Sequence, residues 1–247
     1  MRFLRPFAKV SSEIFFTIFL SLLILVIALA NFTSYENLRP VFLNLAKQQI
    51  NMTSQQLNST LAAFSQLCRT SGNETIHVES LALKCSDVYA TTSENLPELI
   101  GSATFEKTYF KKYDCSFFQC ITLPGQEKFV FLMSEQANVF FKNIIIYLAA
   151  AVVISGIVLI VAVETWPGRF KAVGFSLIFV GAADVVIFLM KGVLFQGLPQ
   201  QAIQQASPAI NQILDSISSM YLLILVAGVI LTAIGFILGY LSKMKKS

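Results

Sequence analysis

Four stretches in which apolar residues follow one another almost without interruption, at about residues 14–32, 143–163, 172–194 and 219–241, alternate with segments of mixed character. Each reaches the roughly 20 residues a helix needs to cross a hydrocarbon core. None shows the strict alternation of a barrel strand. The pattern predicts a mainly α membrane protein with four transmembrane helices. Between the first and second run lies a long mixed segment, residues 33–142, expected to form a disulfide-bonded α+β extracytoplasmic domain.

Within that segment the spacing changes character several times. Val41, Phe42, Leu45, Met52, Leu57, Leu61, Phe64 and Cys68 recur at three- and four-residue steps and predict one amphipathic helix. Its stripe is interrupted at Gln49, and the step from Met52 to Leu57 is one residue too long. Ser71-Gly72-Asn73 breaks the pattern, and Ile76, Val78 and the residues up to Leu83 predict a short strand before Cys85. Phe105 to Tyr113 suits strand or helix equally. Two β-prone runs flank Pro124-Gly125 between Cys120 and Leu132 and predict a β-hairpin around a type II turn. Beyond the third run, Gln196 to Ser218 forms an outer loop, in which Ile210, Ile213, Leu214 and Ile217 predict that helix four begins near Pro208.

Composition agrees with lipid as the main solvent. Hydrophobic residues make up 55% of the 247 and charged residues 13%, against about a quarter charged in an average soluble chain. The net charge of +4 gathers at the ends and in one short loop. Arg2, Arg5 and Lys9, then Arg169 and Lys171, then Lys243, Lys245 and Lys246 would share one face, and the positive-inside rule makes it cytoplasmic. Both termini (1–13 and 242–247) and the 164–171 loop are thereby expected inside, with 33–142 and 195–218 outside. The membrane would be the plasma membrane or one of the secretory pathway. The first run is too long for a signal-peptide core and is read as a retained anchor. No basic stripe with interleaved aromatics is present, so nucleic acid is not an expected partner.

All four cysteines, Cys68, Cys85, Cys115 and Cys120, fall in the outer segment, where thiols normally pair. Three connectivities are open; the sequence-near one, Cys68 with Cys85 and Cys115 with Cys120, needs least folding and is preferred. A metal site is not expected, because no close Cys-x-x-Cys exists and His77 is the sole histidine. Four glycosylation sequons begin at Asn31, Asn51, Asn58 and Asn73. Asn31 stands too near the bilayer for modification; Asn51, Asn58 and Asn73 are the expected sites. Asn51 and Asn58, seven residues apart on one helix, would share a face.

The membrane runs carry few polar groups. Asp184 lies near mid-bilayer in the third run, where a carboxylate costs about 2.5–3.5 kcal/mol on insertion scales and so should face protein. Lys191 follows two turns on, along the same face. The pair suggests an ion site, although a neutral, hydrogen-bonded packing Asp is the plainer reading. Gly228, Thr232, Gly235 and Gly239 form a small-residue stripe in the fourth run and mark a helix-helix seam, with the partner in the same chain or another copy. Trp166 suits the headgroup level, and Pro167-Gly168 is expected to end the second membrane helix.

One histidine removes most triads and metal cages, and no Walker or dinucleotide glycine pattern occurs. No catalytic residue, cofactor or metal is expected. The order of helix, large cysteine-bearing outer loop, two closely linked helices, small outer loop and helix resembles the claudin-like tetraspan architecture in topology. The Trp-Gly-Leu-Trp-Cys-Cys pattern of that group and the Cys-Cys-Gly of tetraspanins are both absent, so no family is assigned. The expected function is that of a non-enzymatic tetraspan whose outer domain mediates protein contacts, as a homo-oligomer or as an accessory subunit of a larger membrane complex. The alternatives are an oligomeric channel or transporter using the Asp184/Lys191 face, and a membrane thiol oxidoreductase.

Overall fold

The computed structural model describes residues 4–49, 53–78, 81–122, 124–125, 127–194 and 200–244; side chains at 4–9, 45, 48–49, 183–194 and 200–217 lie outside that description. The chain is mostly helical and divides into two compact units, Met1–Ala30 with Phe141–Ser247, and Asn31–Phe140.

The first unit is built from four long helices: α1 (Leu4–Phe32), α8 (Glu135–Ala162), α9 (Trp166–Leu194) and α10 (Gln200–Met244). Among the described residues, three helical segments are long and apolar enough to cross a membrane: Val10–Phe32, Glu135–Ala162 and Ser218–Met244. The 45 residues of α10 span about 67 Å at the helical rise, well beyond a hydrocarbon core of about 30 Å. That helix begins at Gln200, upstream of the expected start near Pro208. The helices meet through Phe16 of α1, Leu159 of α8 and Ala172 of α9, and through Ile24, Val180 and Tyr221 of α1, α9 and α10. Much of the rest of their apolar surface faces outward, including Ile146, Val153, Ile154, Phe179 and Leu223. A helix that is apolar all round in this way belongs in lipid or in a larger core.

Between α8 and α9 the turn is tight. The Arg169 Nε donates to the Val163 carbonyl at 2.9 Å and so satisfies one of the acceptors that the end of α8 leaves open. Pro167 and Gly168 lie inside the first turn of α9; they start the third long helix instead of ending the second. Proline is suited there because the first helical N–H groups have no intrahelical acceptor. Trp166 is exposed at this end, with the Arg169 guanidinium 5.0 Å from its ring.

The second unit contains α2 (Tyr35–Gln49), α3 (Ser54–Ser71), the strands β1 (Thr75–Val78) and β2 (Leu81–Lys84), α4 (Cys85–Ala90), α5 (Leu96–Tyr109), α6 (Phe117–Cys120) and α7 (Glu127–Leu132). The single helix expected over 41–68 is two helices. Thr53 takes an extended conformation and caps α3, its hydroxyl accepting from the Gln56 N–H while the Gln56 side chain accepts from the Thr53 N–H. The reciprocal pair satisfies two otherwise open donors and starts a new helix. The strand expected after Asn73 is half of a two-stranded antiparallel hairpin, with Ile76 opposite Leu83. The hairpin expected around Pro124-Gly125 is not formed. Gly125 does hold a left-handed φ of 71°, but α6 ends at Cys120, where the first run begins, Ile121 and Thr122 are turn, and the second run is the short helix α7. Ser116 and Gln119 make a second capping box that starts the helical turn α6 just ahead of the first of these runs.

Candidate functional site

The Asn31–Phe140 unit carries the cysteines and sequons, and it is assembled from three small cores. In the first, the alternation of β1 and β2 turns Ile76 and Leu83 inward against Val88 of α4 and the Cys68–Cys85 disulfide. Phe64 and Leu61, one turn and two turns before Cys68 on α3, close the same core, as does Leu99 of α5. The Cys85 N–H donates to the Glu74 carbonyl at 2.8 Å, which ties the start of α4 back to the base of the hairpin.

The second core joins α2 to α5. Leu38, Phe105 and Tyr109 are buried, and Tyr35 and Phe42 pack on them with ring centroids 5.4 Å from Phe105. Gly101 lets the two helices approach: a Cβ there would stand 3.0 Å from Ala46 Cβ and 3.2 Å from Leu43 Cδ2. Polar contacts border this face. Lys47 pairs with Glu98 at 2.8 Å, Arg39 donates to Ser102 at 3.2 Å, and the Tyr35 hydroxyl donates to Glu106 at 3.2 Å. The hydrogen bond and charge of Lys47 hold the Glu98 carboxyl below its usual pKa. Burial, reinforced by the Glu106 charge, raises the Tyr35 phenol, and burial likewise raises Tyr109 and Tyr113.

In the third, the chain between α5 and α8 is strapped down. Cys115 pairs with Cys120 across α6. Gln136 of α8 accepts from the Tyr113 N–H and donates to the Cys115 carbonyl, both at 3.2 Å. One turn further along α8, Phe140 stacks on Phe117 with centroids 3.8 Å apart and meets Phe118 edge-on at 5.9 Å. Deeper in the unit, Thr33 is a shared buried anchor. Its carbonyl accepts from the Tyr109 hydroxyl at 3.2 Å, and its hydroxyl accepts from the Asn138 amide at 3.0 Å. Buried polar groups joined in this way hold the segments in one register, because parting them would leave each without a partner.

The four cysteines thus form the sequence-near pairs, and none of them is free. Among the described residues no group of three or more His, Cys, Asp or Glu gathers where a metal ion would sit. His77 is exposed on β1 opposite Ala82. Asn58 on α3 and Asn73 in the turn before β1 are exposed; Asn51 lies outside the described residues. Because α2 and α3 are separate helices, the expectation that Asn51 and Asn58 share a face of one helix is withdrawn. Asp184 and Lys191 fall on α9, with side chains outside the described residues.

Three members of the small-residue stripe of α10 find a partner within the chain. Gly228, Thr232 and Gly235 lie against α9 at Gly174, Leu177, Ile178 and Lys171, so close that a Cβ on Gly228 would stand 2.8 Å from the Ile178 nitrogen. Gly239, one turn on, is looser, with Pro167 Cβ at 3.7 Å. Gly181 of α9 extends the contact to Leu225, a residue the stripe did not include. Its signal in the sequence was present: Gly174 and Gly181 stand seven apart, as an interface face requires.

Compared with known proteins, the chain matches no family model, no curated protein and no solved structure.

Proposed function

We propose that the protein is a non-enzymatic tetraspan of the plasma or secretory-pathway membrane. On this reading α1, α8, α9 and α10 each cross the bilayer, both termini are cytoplasmic, and the Asn31–Phe140 unit stands outside as a glycoprotein domain that binds other proteins. The observation that carries the proposal is the outer unit itself. Two disulfides, buried apolar cores and the Lys47–Glu98 ion pair brace it from within, and the same chain carries helices whose surfaces suit lipid. Its cysteines are spent on bracing and supply no free thiol to a reaction. A rigid outer body with no thiol nucleophile is suited to presenting a surface.

Since the glycine seam of α10 is filled by α9, association with further copies or with other subunits would use another surface. Native mass measurement on gently extracted protein tests the proposal. The expected result is an oligomer or a complex with companion membrane subunits; a monodisperse monomer without companions would overturn it. The channel or transporter reading rests on the Asp184/Lys191 face and predicts that Asp184→Asn abolishes flux in reconstituted vesicles. Unchanged flux, or none in the parent protein, removes it. The thiol-oxidoreductase reading requires that Cys115 and Cys120 exchange electrons, and permanent oxidation under alkylation would exclude it.

A further inference from the structure

We propose that the Cys115–Cys120 disulfide is a redox-sensitive clasp: a dithiol reductant opens it while Cys68–Cys85 stays closed, and its opening frees the turn between α5 and α8. All the groups involved lie within the Asn31–Phe140 unit.

The two bonds differ in access. Cys68 and Cys85 are 5% and 7% exposed and stand in one core with Ile76, Leu83 and Val88, so a reagent reaches them only when that core opens. Cys120 is likewise buried, at 0%, but Cys115 is half-buried between the exposed Asp114 and Ser116. Exchange needs one accessible sulfur, because the attacking thiolate approaches along the S–S axis and the far sulfur leaves. Cys115 is therefore the point of attack and Cys120 the leaving group.

The chemistry closes with two thiols. A dithiol loses one proton to solvent, and its thiolate attacks the Cys115 sulfur. The mixed disulfide forms as the Cys115–Cys120 bond breaks, and Cys120 departs as a thiolate that takes up a proton. The second thiol of the reductant then deprotonates and attacks its own sulfur in the mixed disulfide; Cys115 leaves and is protonated in turn. The reductant ends as a disulfide, and two electrons and two protons have passed to this chain. Cys120 Sγ stands 3.6 Å from the Cys115 carbonyl oxygen, so the freed thiol has an acceptor at hand. The pair is here the substrate of exchange, in contrast to the oxidoreductase reading, in which it acts on other thiols.

Opening has a structural consequence because the other ties on the turn are weak. The four residues of α6 fall far below the roughly 12–15 at which a helix persists unaided. The Ser116–Gln119 capping box and the two Gln136 bonds to Tyr113 and Cys115 lie at exposed sites, where water competes for the same groups. The disulfide is the covalent tie that keeps these bonds and the Phe117–Phe140 stack in register. Without it, Phe117 and Phe118 part from Phe140, and the surface they form is remade.

The test exposes full-length protein, extracted in mild detergent, to graded dithiothreitol. New thiols are blocked with N-ethylmaleimide, and the remaining bonds are then reduced and blocked with an isotopically heavy form. Cys115 and Cys120, both on tryptic peptide 113–128, are expected to label at least about tenfold faster than Cys68 and Cys85. Hydrogen exchange on the same samples reads the turn itself. The Cys120 and Ile121 amides, bonded to the Ser116 and Phe117 carbonyls at 2.9 and 3.1 Å, should lose protection by about tenfold or more, while α3 keeps its own. Oxidised glutathione is expected to restore the bond and the protection. Opening of both disulfides together, or of Cys68–Cys85 first, would overturn the clasp. Selective labelling without faster exchange would show that the turn holds without its bond, and failure to reclose would show damage in place of switching; each overturns the proposal.

Discussion

Gly174 of α9 and Thr232 of α10 touch backbone to backbone: a Cβ built on Gly174 would lie 2.7 Å from the Thr232 nitrogen and 2.9 Å from the Gly228 carbonyl oxygen. No rotamer change relieves an overlap with main-chain atoms, so any side chain at 174 must push the helices apart. Overpacking of this kind costs about 1–3 kcal/mol. Gly174→Val is therefore expected to lower the thermal midpoint of the detergent-extracted protein clearly. Gly239→Ala, where the nearest atoms stand 3.7 Å away, should fall within about 0.5 kcal/mol of the parent. Equal midpoints for the two variants would show that the seam is not as tight as described.

The two disulfides close loops of different length, with sequence separations of 17 and 5. In the chain-entropy account the longer loop contributes about 3 kcal/mol and the shorter about 2. The Cys68–Cys85 bond is also surrounded by the core of Ile76, Leu83 and Val88, so replacing it leaves a cavity as well. Cys68→Ala/Cys85→Ala is expected to destabilise the Asn31–Phe140 unit more than Cys115→Ser/Cys120→Ser, as read from limited proteolysis rates of residues 53–110. The reverse order would contradict this ranking.

These relationships were unequally legible in the chain. Long uninterrupted runs announce helices in lipid because nothing else satisfies so many backbone groups there, and α1, α8 and α10 follow from that alone. The break between α2 and α3 was also written in the sequence, as the overlong step from Met52 to Leu57 and as Thr53 three residues before Gln56. An amphipathic stripe read by period alone runs across such a cap. Pro124-Gly125 misled for a different reason: Gly125 does make the turn, but a turn dipeptide does not say whether strands or helices flank it. The Ser116 and Gln119 capping box makes a helical turn only up to Cys120, and the run after Gly125 is helical as α7. Which helix fills the α10 stripe depended on tertiary contact, for which sequence offered only the matching spacing of Gly174 and Gly181.

Buried Tyr109 and half-buried Tyr35 and Tyr113 tie the Asn31–Phe140 unit to pH on the alkaline side. The phenols of Tyr35, Tyr109 and Tyr113 are all raised above the ordinary value of 10.0, in each case first by burial. A raised folded-state pKa means that the unfolded chain loses these protons first. Stability is then fully present below pH 10 and is lost as pH climbs through the folded-state values. Unfolding of the Asn31–Phe140 unit is expected to steepen above pH 10. Glu106→Gln removes the second and third contributions to the Tyr35 shift, its negative charge and its hydrogen bond to a carboxylate, so phenolate absorbance of Tyr35 should appear at lower pH in that variant. A Tyr35 titration unmoved by Glu106→Gln would leave burial as the sole cause.

The exposed sequons give the proposed orientation a direct chemical readout. Asn58 is exposed on α3, and the hydroxyl of Thr60, the third residue of its sequon, bonds the Gln56 carbonyl at 2.8 Å along the helix. Asn73 is exposed just after Gly72, whose left-handed φ of 63° ends α3. A glycosyltransferase needs its acceptor extended, which a turn supplies more readily than an ordered helix. Expression in a glycosylating host is therefore expected to yield fuller occupancy at Asn73 than at Asn58, read as band shifts lost on glycosidase treatment of the single Asn→Gln variants. Equal occupancy would mean that α3 unwinds before modification. If neither variant shifts while the parent remains unmodified, the unit does not enter the lumen and the assigned orientation is reversed.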